Sequence, residues 1–443
     1  MRQRVAADFA QARADLEELV RIPGCAFPGF PDEQIDRACQ KVIDIYRAAG
    51  FPQVQRLDID GGKPAVLAEA PGPPGSPTVL LYAHYDVQPA GDVSLWDSPP
   101  FEPSERDGRL YGRGAADDKS GVVIHAAVMR AFEGRPPCTL RVIVEGEEEW
   151  GGPFTDHPRS HPDLFAADAI VVADVGNARL GQPAFTTALR GMGAVTVECR
   201  TLAGAVHSGM FGGPAPDALM ALITLLATMR DADGETVIEG IDGFDWDGAD
   251  VDEADFRDIA GVDPDQPLIG TGSVASRLFS KPVVNVTGLD APPTQGAINA
   301  VIPQATARVS LRVPPGQDAV AARDALVQHL QTRAPWGISV SVTPEAVGQG
   351  VRVDTDGPAY AAARAAMHEA YGKPAQEIGA GGSIPLIDSL RAAVPGAEIL
   401  LFGAQDPMAR IHAPNESVDL AELEKAVLAQ TLFLQNFGLS KDR

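Results

Sequence analysis

Residues 78–89 read TVLLYAHYDVQP. The apolar run stops at His84 and Asp86, so a buried strand over about 78–83 brings two polar side chains to its carboxyl end. TLRVIVEGEEE (139–149) repeats the pattern, a buried strand followed by Glu147, Glu148 and Glu149, and AIVVADVG (169–176) repeats it again with Asp174. AEILLFGA (397–404) supplies a fourth such strand, near 398–402. Helical periodicity covers residues 3–21, 32–49, 118–133 and 419–436. Strands alternating with helices predict an α/β domain with a central, mostly parallel sheet.

The middle of the chain reads differently. GAVTVECRTL (193–202) and TARVSLRV (306–313) alternate apolar and polar residues with period two, as strands with one wet face do. Two helical patterns (214–231 and 318–334) and a further alternating strand (337–345) complete a small α+β unit. This predicts an inserted domain over 188–349, with 1–187 and 350–443 forming the other domain. The acidic stretch 240–258 reads as a solvated loop and helix.

The 443 residues suit two domains, and 45% hydrophobic with 22% charged residues is a soluble, globular composition. With 36 basic against 60 acidic residues the net charge is −24, which disfavours nucleic acid and anionic membranes as partners. Cys25, Cys39, Cys138 and Cys199 are scattered and form no CxxC pair, so buried thiols in a reducing, cytoplasmic setting are expected. The N-terminal segment is charged and amphipathic and lacks the apolar core of a signal peptide, and no run reaches transmembrane length.

In an open α/β sheet, ligands bind at the carboxyl ends of strands. Here those ends carry His84, a choice among Glu147, Glu148 and Glu149, and Asp174, while Asp117 and Asp118 precede a helix. Each residue alone has an ordinary reading. Asp117 and Asp118 suit an N-cap, and the glutamates suit a solvated turn. Together, imidazole and carboxylate at several strand ends suit zinc, manganese or cobalt in an open two-metal site. His125, His329 and His368 fall in helical patterns, and His157 and His161 in a Pro-rich loop, so none is given a role.

Several stretches carry a resemblance: YAHYDVQP (82–89), LWDSPPFEPSERDGRLYGRGAADDKSG (95–121), VEGEEEWGG (144–152), ADVG (173–176), HSGMFGG (207–213), AVIP (300–303), GGSIP (381–385) and IHAPNE (411–416). In this order they resemble the dinuclear-zinc metallopeptidases that include carnosinases, cysteinylglycine dipeptidases, aminoacylases and carboxypeptidase G, and most of all the dipeptidase branch. The resemblance implies a zinc-peptidase catalytic domain with an inserted lid and dimerisation domain, two divalent cations per subunit (zinc first, manganese or cobalt as alternatives), a dipeptide substrate and a homodimer. It implies His84 and Asp174 on one metal, Glu149 and His412 on the other, and Asp117 between them. It makes Glu148 the general base and Asp86 the acceptor of the His84 imidazole N–H, and it likens the Asp117–Asp118 peptide to one that is cis in the family. His207 would complete the oxyanion hole of a neighbouring subunit. Arg312, with Gly382 and Ser383, would bind the substrate carboxylate. An N-acyl amino acid deacylase with the same site is the alternative activity; a non-catalytic binding protein ranks below both. Ser120, Ala300, Gly379 and Ala380 depart from the pattern, the last three on the substrate side.

Overall fold

The computed structural model describes residues 1–382 and 384–439. The chain divides into two compact units, one of Met1–Thr187, Val353–Ile378 and Leu386–Arg443, the other of Ala188–Arg352 and Gly379–Pro385.

The first unit is built on a six-stranded sheet in the order Gln53–Leu57, Ala65–Ala70, Thr139–Glu145, Thr78–His84, Ala169–Val172, Glu398–Leu401. The last four strands run parallel to one another, and the first two are antiparallel additions at one edge. Continuous apolar runs suit this position because both faces are covered: Val79, Leu81, Val142 and Val171 lie in one core with Leu16 and Leu19 of helix Arg2–Val20, Val123 of Lys119–Ala131, and Leu423 and Phe433 of Leu420–Leu439. Thr78–His84 pairs in parallel register with Thr139–Glu145, so His84 sits opposite Glu145 and the polar residues that follow both strands emerge at one edge. The turn after Glu145 needs a glycine, since a Cβ at Gly146 would collide with the Tyr85 hydroxyl and the Pro64 carbonyl. A small antiparallel sheet of Ser104–Arg106, Arg109–Tyr111 and Ser417–Asp419 fixes the segment after His412 beside the segment before Asp117.

The second unit is a four-stranded antiparallel sheet in the order Val283–Asp290, Gln304–Val313, Gly191–Arg200, Val340–Gly348. Its alternating residues put Val195, Val197, Val309 and Leu311 on one buried face with Leu222 and Leu225 of helix Ala218–Ala227 and Leu326 of helix Ala319–Thr332. Asp217 and Asp318 cap these helices through pairs of backbone N–H groups. The edge strand Val283–Asp290 was not evident from the sequence. Segment Gly379–Pro385 groups with this unit rather than with the flanking segments, held by the Arg190 N–H donating to the Ala380 carbonyl at 3.3 Å.

The acidic stretch is less solvated than its composition suggests. Helix Glu253–Ala260 is present, but Trp246 packs edge-on to Phe279 at 5.5 Å and Asp250 accepts from the Ala275 N–H. Nearby, Glu235 Oε1 accepts from Lys281 Nζ at 2.7 Å, Thr271 N at 2.5 Å and Thr271 Oγ1 at 2.8 Å. Burial opposes ionisation there, but these donors prevail and bring the carboxyl down to about 2. An unfolded glutamate titrates near ~4.3, so this contribution is complete above that value and lost as pH falls toward about 2. Glu235→Gln should lower the melting temperature at pH 6, with the gap to the parent protein closing as pH falls below ~4.3. A gap that does not change with pH would rule out the ionised pair as its source.

Candidate metal centre

The strand ends and one loop bring His84, Asp117, Asp118, Glu148, Glu149, Asp174 and His412 together in the first unit. His84 Nε2 lies 3.1 Å from Asp117 Oδ1 and 3.7 Å from Asp174 Oδ1. His412 Nε2 lies 3.0 Å from Asp117 Oδ2 and 3.1 Å from Glu149 Oε2. Asp117 thus turns one oxygen to each imidazole. Metal bonds of about 2.0–2.2 Å in a tetrahedron place neighbouring ligand atoms roughly 3.3–3.6 Å apart; three of these separations are slightly shorter, at hydrogen-bond distance, and one is slightly longer. Ligand atoms of two groups lie within 4.8 Å of one another, those of His84, Asp118 and Asp174, and those of Asp117, Glu149 and His412.

The two aspartates divide their duties. Asp118 is the N-cap: Oδ1 accepts from the Gly121 N–H at 3.1 Å, and Oδ2 accepts from the His84 N–H at 3.3 Å. Asp117 is left facing both histidines. The Asp117–Asp118 peptide is cis. Ser120 does not displace the helix, which begins at Lys119, because its hydroxyl turns back to the Ala116 carbonyl at 2.8 Å.

Electrostatics describe a centre built for cations. Burial raises the Asp174 carboxyl to about 7, with the Asp117 charge adding to it. Burial likewise lifts Glu148 well above the carboxylate range. Hydrogen bonds to Asp117 and Glu149 raise His412 to about 10. Five carboxylates against two imidazoles leave a surplus of negative charge that dications neutralise, so the donor set fits two divalent ions with nitrogen and oxygen ligands. The carboxylate of Glu148 is partly exposed and has no hydrogen bond or ion pair among the described residues, unlike Glu147, which accepts from the Lys63 N–H at 3.0 Å, and Glu149, which accepts from Gln88 Nε2 at 2.8 Å.

Asp86 has a second part beside the one expected of it. His84 Nδ1 is 3.2 Å from the Asp86 backbone carbonyl and 3.4 Å from its Oδ1, while the two carboxylate oxygens accept the Glu148 and Glu149 N–H groups at 3.1 Å each. Asp86 therefore fixes the glutamate turn as well as the imidazole. In the second unit, His207 is exposed and its Nδ1 accepts from the Gly209 N–H at 3.0 Å. Arg312 is half-buried on strand Gln304–Val313, Gly382 lies in an exposed bend, and Ser383 falls outside the described residues. His125 and His329 are core residues, held by Gln430 and Thr228.

Sequence reasoning missed the residue that holds the loop. Glu416, fully buried, takes four hydrogen bonds: Arg113 Nη1 at 2.7 Å and the Gly114 N–H at 3.0 Å on Oε2, and the Ala116 and Asp117 N–H groups at 3.1 Å each on Oε1. It closes the IHAPNE stretch, whose invitation to look further was the acidic residue four positions after His412. Gln405 also went unnoticed; its Nε2 donates to Asp174 Oδ1 at 3.2 Å. So did Lys119, whose buried Nζ donates to the Leu19 and Ile22 carbonyls at 2.9 and 2.8 Å.

Such a site, at the carboxyl ends of parallel strands, defines a metal-dependent hydrolase with two adjoining cation positions. The sequence pattern of peptidase family M20/M25/M40 matches residues 80–436, and the chain belongs to this family. It is a hydrolytic metallopeptidase. It is 40% identical over 371 residues to the cysteinylglycine-S-conjugate dipeptidase of Corynebacterium striatum, covering 82% of each chain. It is 28% identical over 393 residues to the Beta-Ala-His dipeptidase of Homo sapiens, covering 83% of this chain and 76% of that one. Among solved structures, the fold is shared with the dipeptidase Dug1p of Saccharomyces cerevisiae, at a TM-score of 0.83 and 20% identity over 100% of this chain and 98% of the other.

Removing the Glu416 carboxylate strands the buried Arg113 guanidinium and frees the Asp117 loop. Glu416→Ala should cost about 3–5 kcal/mol in urea unfolding and lower retained metal after dialysis. Unchanged stability with full metal content would refute this role.

Proposed function

We propose that the protein hydrolyses the peptide bond of dipeptides with a free terminal carboxylate, using two divalent cations and Glu148 as general base. The single observation that supports this most is the shared Asp117, one oxygen 3.1 Å from His84 and the other 3.0 Å from His412, with an unpartnered Glu148 in the same cluster. His84, Asp117 and Asp174 would hold one cation, and Asp117, Glu149 and His412 the other. When bound, the cations would supply Lewis acidity to a water and to the scissile carbonyl. Glu148 would take a proton from the attacking water as its oxygen bonds to the carbonyl carbon, and return it to the amine nitrogen as the C–N bond breaks, a part suited to a carboxyl raised by burial. Asp86 keeps the Glu148 and Glu149 backbone still while this happens. Arg312 takes the substrate carboxylate, to which a guanidinium offers two parallel donors.

Zinc is the first expectation for a set of imidazoles and carboxylates that leaves room for water. The relative from Corynebacterium striatum, named for cysteinylglycine S-conjugates, makes S-conjugated cysteinylglycine a first substrate to try. A homodimer with His207 donating in trans is supported by the exposed edge strand carrying Val286 and Leu289, and by Met220 and Ile223 exposed on helix Ala218–Ala227. A reducing, cytoplasmic setting is supported by four buried cysteines, none of them in a disulfide among the described residues. Among the described residues, no helix is long and apolar enough to cross a membrane.

Glu148→Gln should abolish dipeptide turnover while retaining about two metals per chain; loss of metal instead would mean that Glu148 is a ligand. Mixing His207→Ala with Glu148→Gln protein should restore part of the activity. No recovery despite demonstrated subunit exchange would refute action in trans. Dipeptides should be turned over faster than N-acetyl amino acids, and the reverse preference would favour the deacylase.

A further inference from the structure

Among its described residues, the second unit offers no carboxylate to one of its buried charges. Arg190 is only 9% exposed, its Nε is buried without a hydrogen bond, and its side chain has no carboxylate partner among the described residues. Burial lowers its guanidinium to about 10, and the one charge that adds to this is the like charge of Arg312. Burial also lowers Arg312, and no carboxylate offsets it. In a chain with 60 acidic residues, two desolvated guanidiniums face each other's field with no acid set between them. An unpaired buried charge costs several kcal/mol, so a counter-anion is the missing part.

Register explains how they meet. Arg312 pairs directly with Met192 across the antiparallel ladder, and Arg190 lies two residues before Met192. Arg190 lies just outside the ladder, where the strand begins, and its guanidinium feels the like charge of Arg312. The Arg190 backbone is tied to Ala380, and its guanidinium lies against Gly381, where a Cβ would come within 2.9 Å of Nη2. Any side chain at Gly381 would push the guanidinium aside, so the glycine keeps it in place.

We propose that Arg190 and Arg312 form a two-guanidinium receptor for a dianionic substrate end, Arg312 taking the terminal carboxylate and Arg190 the side-chain acid of a C-terminal aspartate or glutamate. This rests on the dipeptidase reading, in which Arg312 takes the terminal carboxylate. Charge balance selects the dianion: one carboxylate neutralises one guanidinium and leaves the more buried one bare.

Arg190→Met keeps the stem and removes the charge. Without ligand it should melt at the same temperature as the parent protein or higher, since no partner is lost. A clear drop would give Arg190 a structural role and overturn the proposal. With metal-loaded full-length enzyme, kcat/KM for Ala-Glu should exceed that for Ala-Gln about tenfold or more. Arg190→Met should erase that preference through KM, with kcat/KM for Ala-Glu falling to that for Ala-Gln, and Arg190→Lys should restore part of it. An equal loss on both substrates, or no preference in the parent enzyme, would overturn it. Calorimetric titration decides the receptor without turnover: glutarate should bind roughly tenfold more tightly than butyrate, and the difference should vanish in Arg190→Met. Equal binding in the parent protein overturns the receptor. Absence of Ala-Gly turnover, by contrast, overturns the dipeptidase reading alone.

Discussion

Crowding of like charge is the constraint on which the first unit is built. Asp117, Asp118, Glu148, Glu149 and Asp174 share one partly dry place with only two imidazoles, and burial drives Glu148 and Asp174 toward their neutral forms. Such a cluster holds its shape without cations only if rigid donors fix the backbone that carries it. Asp86 fixes the glutamate turn, Asp118 fixes the helix start, and Glu416 fixes the loop from Gly114 to Asp117. The carboxylates that face the centre are thus placed by carboxylates that do not.

This division explains what could be read from the sequence. The apolar runs ending in His84 and Asp174 announce themselves because a parallel strand is buried on both faces and must change character where it leaves the sheet. The turn EGEEE offers three chemically equal candidates, and only the hydrogen bonds separate them: Glu147 is occupied by the Lys63 N–H, Glu149 by Gln88, and Glu148 by nothing among the described residues. Glu416 and the second duty of Asp86 were not legible because their partners are backbone N–H groups far away in the chain, which no side-chain pattern records. His412, at φ 61° in the left-handed region, likewise owes its place to the surrounding turns rather than to its own preference.

The second unit shows the opposite economy. Three of its four sheet strands and its two longest helices were plain in the pattern, yet the segment Gly379–Pro385 joins it from outside the stretch that the pattern marked. Among the contacts at this segment are a backbone hydrogen bond from Arg190 to Ala380, the pairing of strand Gln376–Ala380 with Ala184–Leu189, and the space Gly381 leaves for Arg190. Composition pointed away from anions, at −24 overall, while the local arrangement of two arginines points toward one. Net charge describes the field far from the surface; recognition is decided by the few groups that are desolvated.

The Lys119 ammonium grips the carbonyls of Leu19 and Ile22, and the Asp117 loop beside it waits for Glu416. The centre therefore draws on the beginning, middle and end of the chain at once. During synthesis, the sheet strands and the first helices emerge from the ribosome long before His412 and Glu416. Until then Arg113 lacks its carboxylate and one imidazole is missing, so a nascent or prematurely terminated chain lacks the full cation-binding centre. A chain cut short before residue 412 would lack both His412 and the one carboxylate that gathers Arg113, Gly114, Ala116 and Asp117.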